Sequence, residues 1–367
     1  MTLPAVKKER NSAVELLRII AMYMIILYHY VIYNGFDLEN AEFGLQKFTY
    51  QIFHTGAIGV DIFILITGFY SYKSASAPKK IINLLLEAEF YSIFTGACML
   101  LTGDVKMSAS FLLHTLLPAT FKQYWFFTAY IVLMLLSPYI NKFIAAVSRT
   151  DHLKLIAVML VLWSIIPFIT DQDFFFNEII TMIMIYIIGA YLGKYPDNIL
   201  KKGRNAELLT AVCATILVGS TFACGIAGKY VSTFRNLSSH FYTRLSPLVI
   251  GLTTGLLITF SKMNFKIGFV NKIASCTFAV YLIHESPFVY PVLWKKYLRA
   301  ADYVYSKYWF AHMLISTVLV FAVCIIIELI RKSTIEKPLN KLAGRAYDKI
   351  EGFVIKTIDS VKKKLYS

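Results

Sequence analysis

Ten apolar stretches, each near the ~20 residues that cover a bilayer, divide this chain. They fall at about 13–34, 48–70, 81–102, 123–147, 153–170, 178–195, 207–227, 245–261, 271–293 and 312–331. In hydrocarbon a chain must satisfy its own backbone hydrogen bonds, so stretches of this length fold as helices. The expected architecture is all-α: a polytopic integral membrane protein of about ten transmembrane helices. A content of 57% hydrophobic and only 16% charged residues excludes an ordinary soluble domain. The stretch at 153–170 is short and interrupted near Pro167. The segment from Ser108 to Ala119 is apolar but too short to cross, and is expected to be re-entrant or interfacial.

The net charge of +15 would suggest nucleic acid as the partner of a soluble protein. Here the basic residues punctuate apolar stretches, so they act as topology signals and no nucleic acid is expected. With ten spans, most of the 37 Lys and Arg fall on one side if both termini are cytoplasmic. Two loops on the other side are nevertheless basic. One carries Lys229, Arg235 and Arg244, the other Lys295, Lys296, Arg299 and Lys307. These are either ordinary solvated charges or a landing surface for an acidic acceptor. The domain plan is a ten-helix membrane unit over 1–334 and a basic tail over 335–367. In the tail Ile350, Phe353, Val354, Ile358, Val361 and Leu365 recur at helical spacing between lysines, as in a helix lying on the inner leaflet. The first apolar run is too long for a cleavable signal and no small-residue site follows it, so it is expected to remain as an anchor. Five scattered cysteines with no CxxC pair suggest neither a disulfide framework nor a metal site.

The first stretch carries three polar residues: Glu15, Arg18 and His29. Arg18 and His29 are eleven positions apart, which at ~100° per residue returns them to one helix face, about 16 Å apart along the axis. Charges inside a spanning helix cost several kcal/mol unless they face protein or a water-filled cavity. Their alignment therefore suggests a site running through the membrane. With the assumed topology, Arg18 and Glu15 lie near the cytoplasm. His29, His54, His284 and Glu285 converge in depth near the outer side, where Tyr124 and Trp125 open the fourth stretch. Asp61 falls mid-membrane between glycines 56, 59 and 68, placed to organise or charge a cavity. Histidine is the natural proton acceptor near neutral pH, so His29 could deprotonate an acceptor hydroxyl, or accept an acyl group itself. Arg18 can hold phosphate bidentately, and Lys73, Lys79 and Lys80 at the mouth of the third stretch can add to it. His114, His152, His240 and His312 have the positions of loop or boundary residues.

Several segments resemble the membrane acyltransferase 3 family. The run Arg10-Asn-Ser-Ala-Val-Glu-Leu-Leu-Arg18, then ten residues, then His29, is similar to that family's acidic residue, arginine, ten residues, histidine pattern, with Glu15 where aspartate is more usual. Gly59-Val-Asp-Ile-Phe-Ile-Leu-Ile-Thr-Gly-Phe69 resembles its Phe-Phe-x-x-Ser-Gly-Phe stretch, with Thr67 for serine. Tyr124-Trp-Phe-Phe127, Tyr281-Leu-Ile-His284 and Ile335-Glu-Lys-Pro338 resemble its later motifs in order. The chain departs in one place. Many members carry Arg-x-x-Arg after the second span, where only Lys73, Lys79 and Lys80 stand here.

The resemblance implies an O-acyltransferase of the cell membrane that takes an acyl group, expected to be acetyl, from cytoplasmic acetyl-CoA. The acceptor would be a hydroxyl of an envelope polysaccharide or lipid-linked sugar, with membrane lipids as surroundings. On this reading Arg18, Lys73, Lys79 and Lys80 hold the donor, and Glu15 orients Arg18. His29 activates the acceptor or relays the acyl group, with His284 and Asp61 in support, and no metal is involved. The alternative is a transporter or flippase, since intramembrane charge stripes also line transport pathways.

Overall fold

The computed structural model describes residues 11–74, 78–172 and 177–365. Among the described residues there is no β-strand, and the chain is a packed set of helices. In chain order the main ones are α1 (Ser12–Tyr33), α2 (Leu45–His54), α3 (Ile58–Ser71), α4 (Pro78–Leu101), α5 (Ala109–Leu116) and α6 (Trp125–Ala146). Then come α7 (Arg149–Thr170), α8 (Glu178–Lys194), α9 (Asn205–Ala227), α10 (Ser232–His240) and α11 (Pro247–Lys262). The last are α12 (Gly268–Ala274), α13 (Thr277–His284), α14 (Trp309–Thr334) and α15 (Glu336–Leu365).

Seven helical stretches among the described residues are long and apolar enough to cross a membrane: α1, α2–α3 together, α4, α6, α7, α9 and α14. Three other apolar stretches are built differently. Helix α8 has 17 residues and α11 has 16. The stretch at 271–293 is not one helix. It turns at Ser275 and Cys276, runs on as α13, and stops after His284. The stop has a local cause, because Pro287 pushes Ser286 away from helical angles. Broken helices of this kind are tolerated at membrane depth where they line a protein cavity. Near Pro167 the fifth stretch is not cut but loosened, with a π turn over Val161–Ile165. The segment 108–119 contains the eight-residue α5, which packs on α4 through Phe111 and Gly96.

Helix α1 is the shared wall of two cores. Val14, Leu17 and Ala21 belong to one, with α3, α7, α8, α9 and α11. Met22, Ile25, Ile26 and Tyr30 belong to the other, with α4, α13 and α14. Glycines set the spacing in the first core. A Cβ on Gly59 would stand 2.3 Å from the Ala21 carbonyl oxygen, and one on Gly189 2.3 Å from that of Leu65. Small residues thus let α3 approach α1 and α8 at backbone contact. In the second core α14 runs antiparallel to α1, with Tyr23 hydroxyl 3.1 Å from Thr317 Oγ1 and Tyr30 hydroxyl 2.9 Å from His312 Nδ1. Helix α15 folds back along α4. The side chains of Ile350, Phe353, Val354, Ile358, Val361 and Leu365, and residues 1–10 with Lys7, Lys8 and Arg10, lie outside the described residues.

Two histidines expected at loops or boundaries do stand in the first turns of their helices, but are packed rather than solvated. His152 is fully buried, with Nε2 3.2 Å from the Ile187 carbonyl oxygen. His312 stacks on Tyr303 at 4.0 Å besides meeting Tyr30. An amphipathic ring at a helix start packs as readily as it is solvated, and sequence position alone does not distinguish the two.

Candidate active site

A cavity of about 1210 Å³ lies against α1. Glu15, Arg18 and His29 all line it, as their shared helix face requires. At one end Lys80, Arg331 and Lys332 join Arg18. Towards the other stand His54, Lys122, Trp125 and Arg244. The wall between is largely aromatic, with Phe63, Phe126, Tyr130 and Tyr281.

His29 is buried, hydrogen-bonded to His284 through one ring nitrogen and in ion-pair contact with Glu285 through the other. Its Nδ1 is 2.9 Å from His284 Nε2, and its Nε2 is 2.5 Å from Glu285 Oε2. His284 Nδ1 lies 2.5 Å from the Val280 carbonyl oxygen, inside the last turn of α13. A carbonyl only accepts, so His284 Nδ1 carries the proton there. In neutral His284 the Nε2 is then an acceptor, and His29 Nδ1 donates to it. His29 Nε2 and the Glu285 carboxylate are close enough for a further proton to pass between them. Tyr33 donates to Glu285 Oε1 at 3.1 Å and its ring stacks on His29 at 5.8 Å. Three groups thus form a contiguous chain able to carry a mobile proton, anchored at a main-chain carbonyl and opening on the cavity through His29 and Glu285.

Two imidazoles and a carboxylate, with ligand atoms within 4.8 Å of one another, also have the composition of a metal site. The orientation of His29 favours the proton chain. Its two nitrogens face opposite partners, so no single ion can sit among all three groups unless a side chain turns. The His29–His284 hydrogen bond and the His29–Glu285 ion pair already account for the closeness.

At the other end Arg18 Nη1 lies 2.9 and 3.1 Å from the two oxygens of Glu15. The arginine side chain is 28% exposed. Lys80 lines the cavity beside it, whereas Lys73 and Lys79 are exposed and off its wall. Asp61 is fully buried behind the wall and accepts from Arg244 Nε at 3.0 Å. Arg244 is the residue whose reading changes. It is not a solvated loop charge, since only 14% of its side chain is exposed. It turns inward to bond Asp61 and Glu178, and lies against the Trp125 ring.

A family model of the acyltransferase domain matches residues 11–329. The chain belongs to the acyltransferase 3 family. No curated protein and no solved structure matches it. With its apolar helices, the chain is a multi-pass membrane acyltransferase.

In this acyltransferase the structure brings Glu15, Arg18, His29 and Lys80 onto one cavity wall, with His284 directly behind His29. His54 lines the same cavity, edge-on to Tyr28, without a hydrogen bond to His29. Sequence reasoning had placed Glu285 at the right depth without giving it a role. Its turn towards His29 depends on the helix stop before Pro287, which was a visible signal. Arg331 and Lys332 were missed altogether. Their signal was the second Glu-x-x-Arg of the chain, at Glu328 to Arg331, which repeats the spacing of Glu15 to Arg18.

Proposed function

We propose that the protein moves an acetyl group from acetyl-CoA to a hydroxyl of an extracytoplasmic or lipid-linked polysaccharide, in a cell membrane with both termini cytoplasmic. The observation that carries this reading is one cavity with two chemically distinct ends. At one end Arg18 and Lys80 stand with Lys332 among the carboxylates of Glu15, Glu87 and Glu336, and the two former cations suit the phosphates of a nucleotide-bearing donor. The His29–His284–Glu285 proton chain suits the acyl transfer. The aromatic wall between them suits the long, uncharged arm that must reach from one end to the other.

The residues then divide the work. Arg18 binds donor phosphate and Glu15 holds Arg18 in place. Lys80 and Lys332 supply further positive charge, which answers the missing Arg-x-x-Arg. In the transfer, the acceptor oxygen forms a bond to the acyl carbon and the bond from that carbon to sulfur breaks. The sulfur takes the mobile proton of the His29–Glu285 pair, and the proton of the hydroxyl replaces it. The chain ends with the one proton it began with, so one cycle is balanced. Glu285 and His29 touch the reacting groups. His284 is a positioning residue that fixes the His29 ring through Val280.

The test is release of free thiol from acetyl-CoA by the protein in nanodiscs, with a panel of envelope glycans, beside His29→Ala. Release that needs both an acceptor and His29 is expected, with the variant slower by about 10³-fold, in the range for removing a general acid–base group. Acceptor-dependent release at the wild-type rate by folded His29→Ala would end this assignment. Chelators are expected to leave turnover unchanged, and a loss that zinc restores would replace the proton chain with a metal centre.

A further inference from the structure

We propose that Trp125, Arg244 and Glu178 form the subsite that holds the acceptor's sugar ring, and that it selects an uncharged sugar over an acidic one. All three residues line the cavity that His29 lines. The subsite rests on the acyltransferase reading in one respect, that the acceptor is a sugar hydroxyl.

Arg244 is held from two sides. Its Nε donates to Asp61 Oδ1 at 3.0 Å and its Nη1 to Glu178 Oε2. Its guanidinium carbon is 5.5 Å from the centre of the Trp125 ring. Yet Arg244 Nη2 is buried with no hydrogen-bond partner, and so is Asp61 Oδ2. The guanidinium is thus rigid and largely desolvated, and the 14% of the Arg244 side chain that stays open belongs to a residue of the cavity wall.

A pyranose offers matching chemistry. One of its faces carries C–H groups, which pack on an aromatic ring. Its rim carries hydroxyls, each able to accept and to donate. Trp125 supplies the ring, with 36% of its surface exposed. Arg244 supplies a donor. Glu178, whose side chain is 40% exposed, supplies an acceptor. The charge count decides against an acidic ligand. Two carboxylates surround one guanidinium, and with Lys122 at the same end of the cavity the count is two against two, so no net positive charge is left to attract a uronate or a phosphate. The acceptor is therefore recognised here by shape and hydroxyl pattern.

The experiment titrates the protein in nanodiscs with maltotriose, chitotriose and tri-galacturonate, following tryptophan emission. Wild type is expected to respond saturably to at least one neutral trimer and at least tenfold more weakly to tri-galacturonate. In Trp125→Ala the affinity for that neutral trimer should fall about tenfold, the loss of ~1.4 kcal/mol, and Trp125→Phe should recover part of it. Competition with the trimer in thiol release follows the variants whose own emission changes. Arg244→Gln should lose a similar factor. Because it also strands two carboxylates, the Trp125 pair, which leaves the ion pairs intact, decides the case if that variant fails to fold. Acetyl-CoA affinity by calorimetry should stay unchanged in every folded variant. Tighter binding of tri-galacturonate, or neutral-sugar binding unchanged in Trp125→Ala, overturns the subsite, as does absence of binding by all three trimers. Sugar binding that depends on Trp125 without any thiol release would support the subsite while removing the acetyl-transfer reading. Acceptor-dependent thiol release with an acceptor KM unchanged in Trp125→Ala would do the reverse.

Discussion

Two Glu-x-x-Arg pairs stand on neighbouring antiparallel helices, Glu15-Leu-Leu-Arg18 on α1 and Glu328-Leu-Ile-Arg331 on α14, and they are used in opposite ways. Arg331 is closed. Its Nε and Nη2 donate to the two oxygens of Glu328 at 2.6 and 2.7 Å, and Glu87 lies 3.7 Å away. Glu328, fully buried, also takes the Tyr91 hydroxyl at 2.5 Å and lies 3.4 Å from Lys332. Arg18 is open. It bonds Glu15 through Nη1 alone, and its side chain is 28% exposed on the cavity wall. The same local motif is thus a helix clamp where neighbours from α4 complete it, and an arginine left open where a cavity replaces those neighbours. What differs is the third partner rather than the pair itself.

Breaking the closed pair should have the largest effect. Arg331→Met leaves Glu328 buried without its guanidinium, and should cost about 3–5 kcal/mol of stability. Thermal unfolding in nanodiscs would show it as a lower midpoint, and adding Glu328→Gln should restore much of the loss. If Arg331→Met keeps its midpoint and loses only donor affinity, the contrast between the two pairs fails.

A smaller effect is expected where the open pair's helix meets the proton chain. Glu285→Gln keeps the side-chain shape but removes the carboxylate that shares the proton with His29. The expected loss is about 10²-fold in kcat, with the unfolding midpoint and the acetyl-CoA KM little changed. An equal loss of stability would make Glu285 a structural residue like Glu328.

Breaking the open pair comes next. Arg18→Gln should raise the acetyl-CoA KM about tenfold or more, the range for a lost hydrogen bond to a charged group. Stability should barely move, because the arginine already faces the cavity. Calorimetric titration with acetyl-CoA and with a dephosphorylated analogue would sharpen this, since Arg18→Gln should matter only for the phosphorylated ligand.

The smallest effect concerns a pair far from both. Asp104, between α4 and α5, is bonded by Lys296 at 2.5 Å, Tyr297 at 2.6 Å and Thr102 at 2.7 Å. These bonds, that of Lys296 first, lower its pKa from 3.8 to about 2. A lowered carboxylate pKa contributes stability that is present above the unfolded value and lost as pH falls through the folded one. Wild type should therefore loosen slightly between pH ~4 and ~2, and Asp104→Asn should remove that dependence. An unfolding midpoint with the same acid dependence in both proteins would show that the pair contributes nothing.

The sequence made the helical architecture and one wall of the site legible, for a definite reason. Helical periodicity ties Arg18 to His29 along a single helix, and that relation needs no tertiary contact to be computed. Depth in a membrane follows from counting along a span, so His284 and Glu285 could be set level with His29. Their lateral approach could not, because it depends on how α13 packs beside α1. Arg244 shows the limit most sharply. As one of several basic residues between two apolar stretches it was indistinguishable from a solvated loop charge. Only the positions of Asp61 on α3 and Glu178 on α8 draw it into the cavity wall.

Composition and periodicity alone determined that this chain is an all-helical membrane protein, because hydrocarbon leaves the backbone no other local solution. They also determined that α1 presents Glu15, Arg18 and His29 to one side. Tertiary structure alone decided which charges are satisfied and which are left to act. Arg18 and Arg331 have the same local sequence, and Glu285 and Glu328 are both carboxylates at the ends of apolar runs. Their roles are separated by what neighbouring helices bring within hydrogen-bond reach, a quantity that no single stretch of sequence contains.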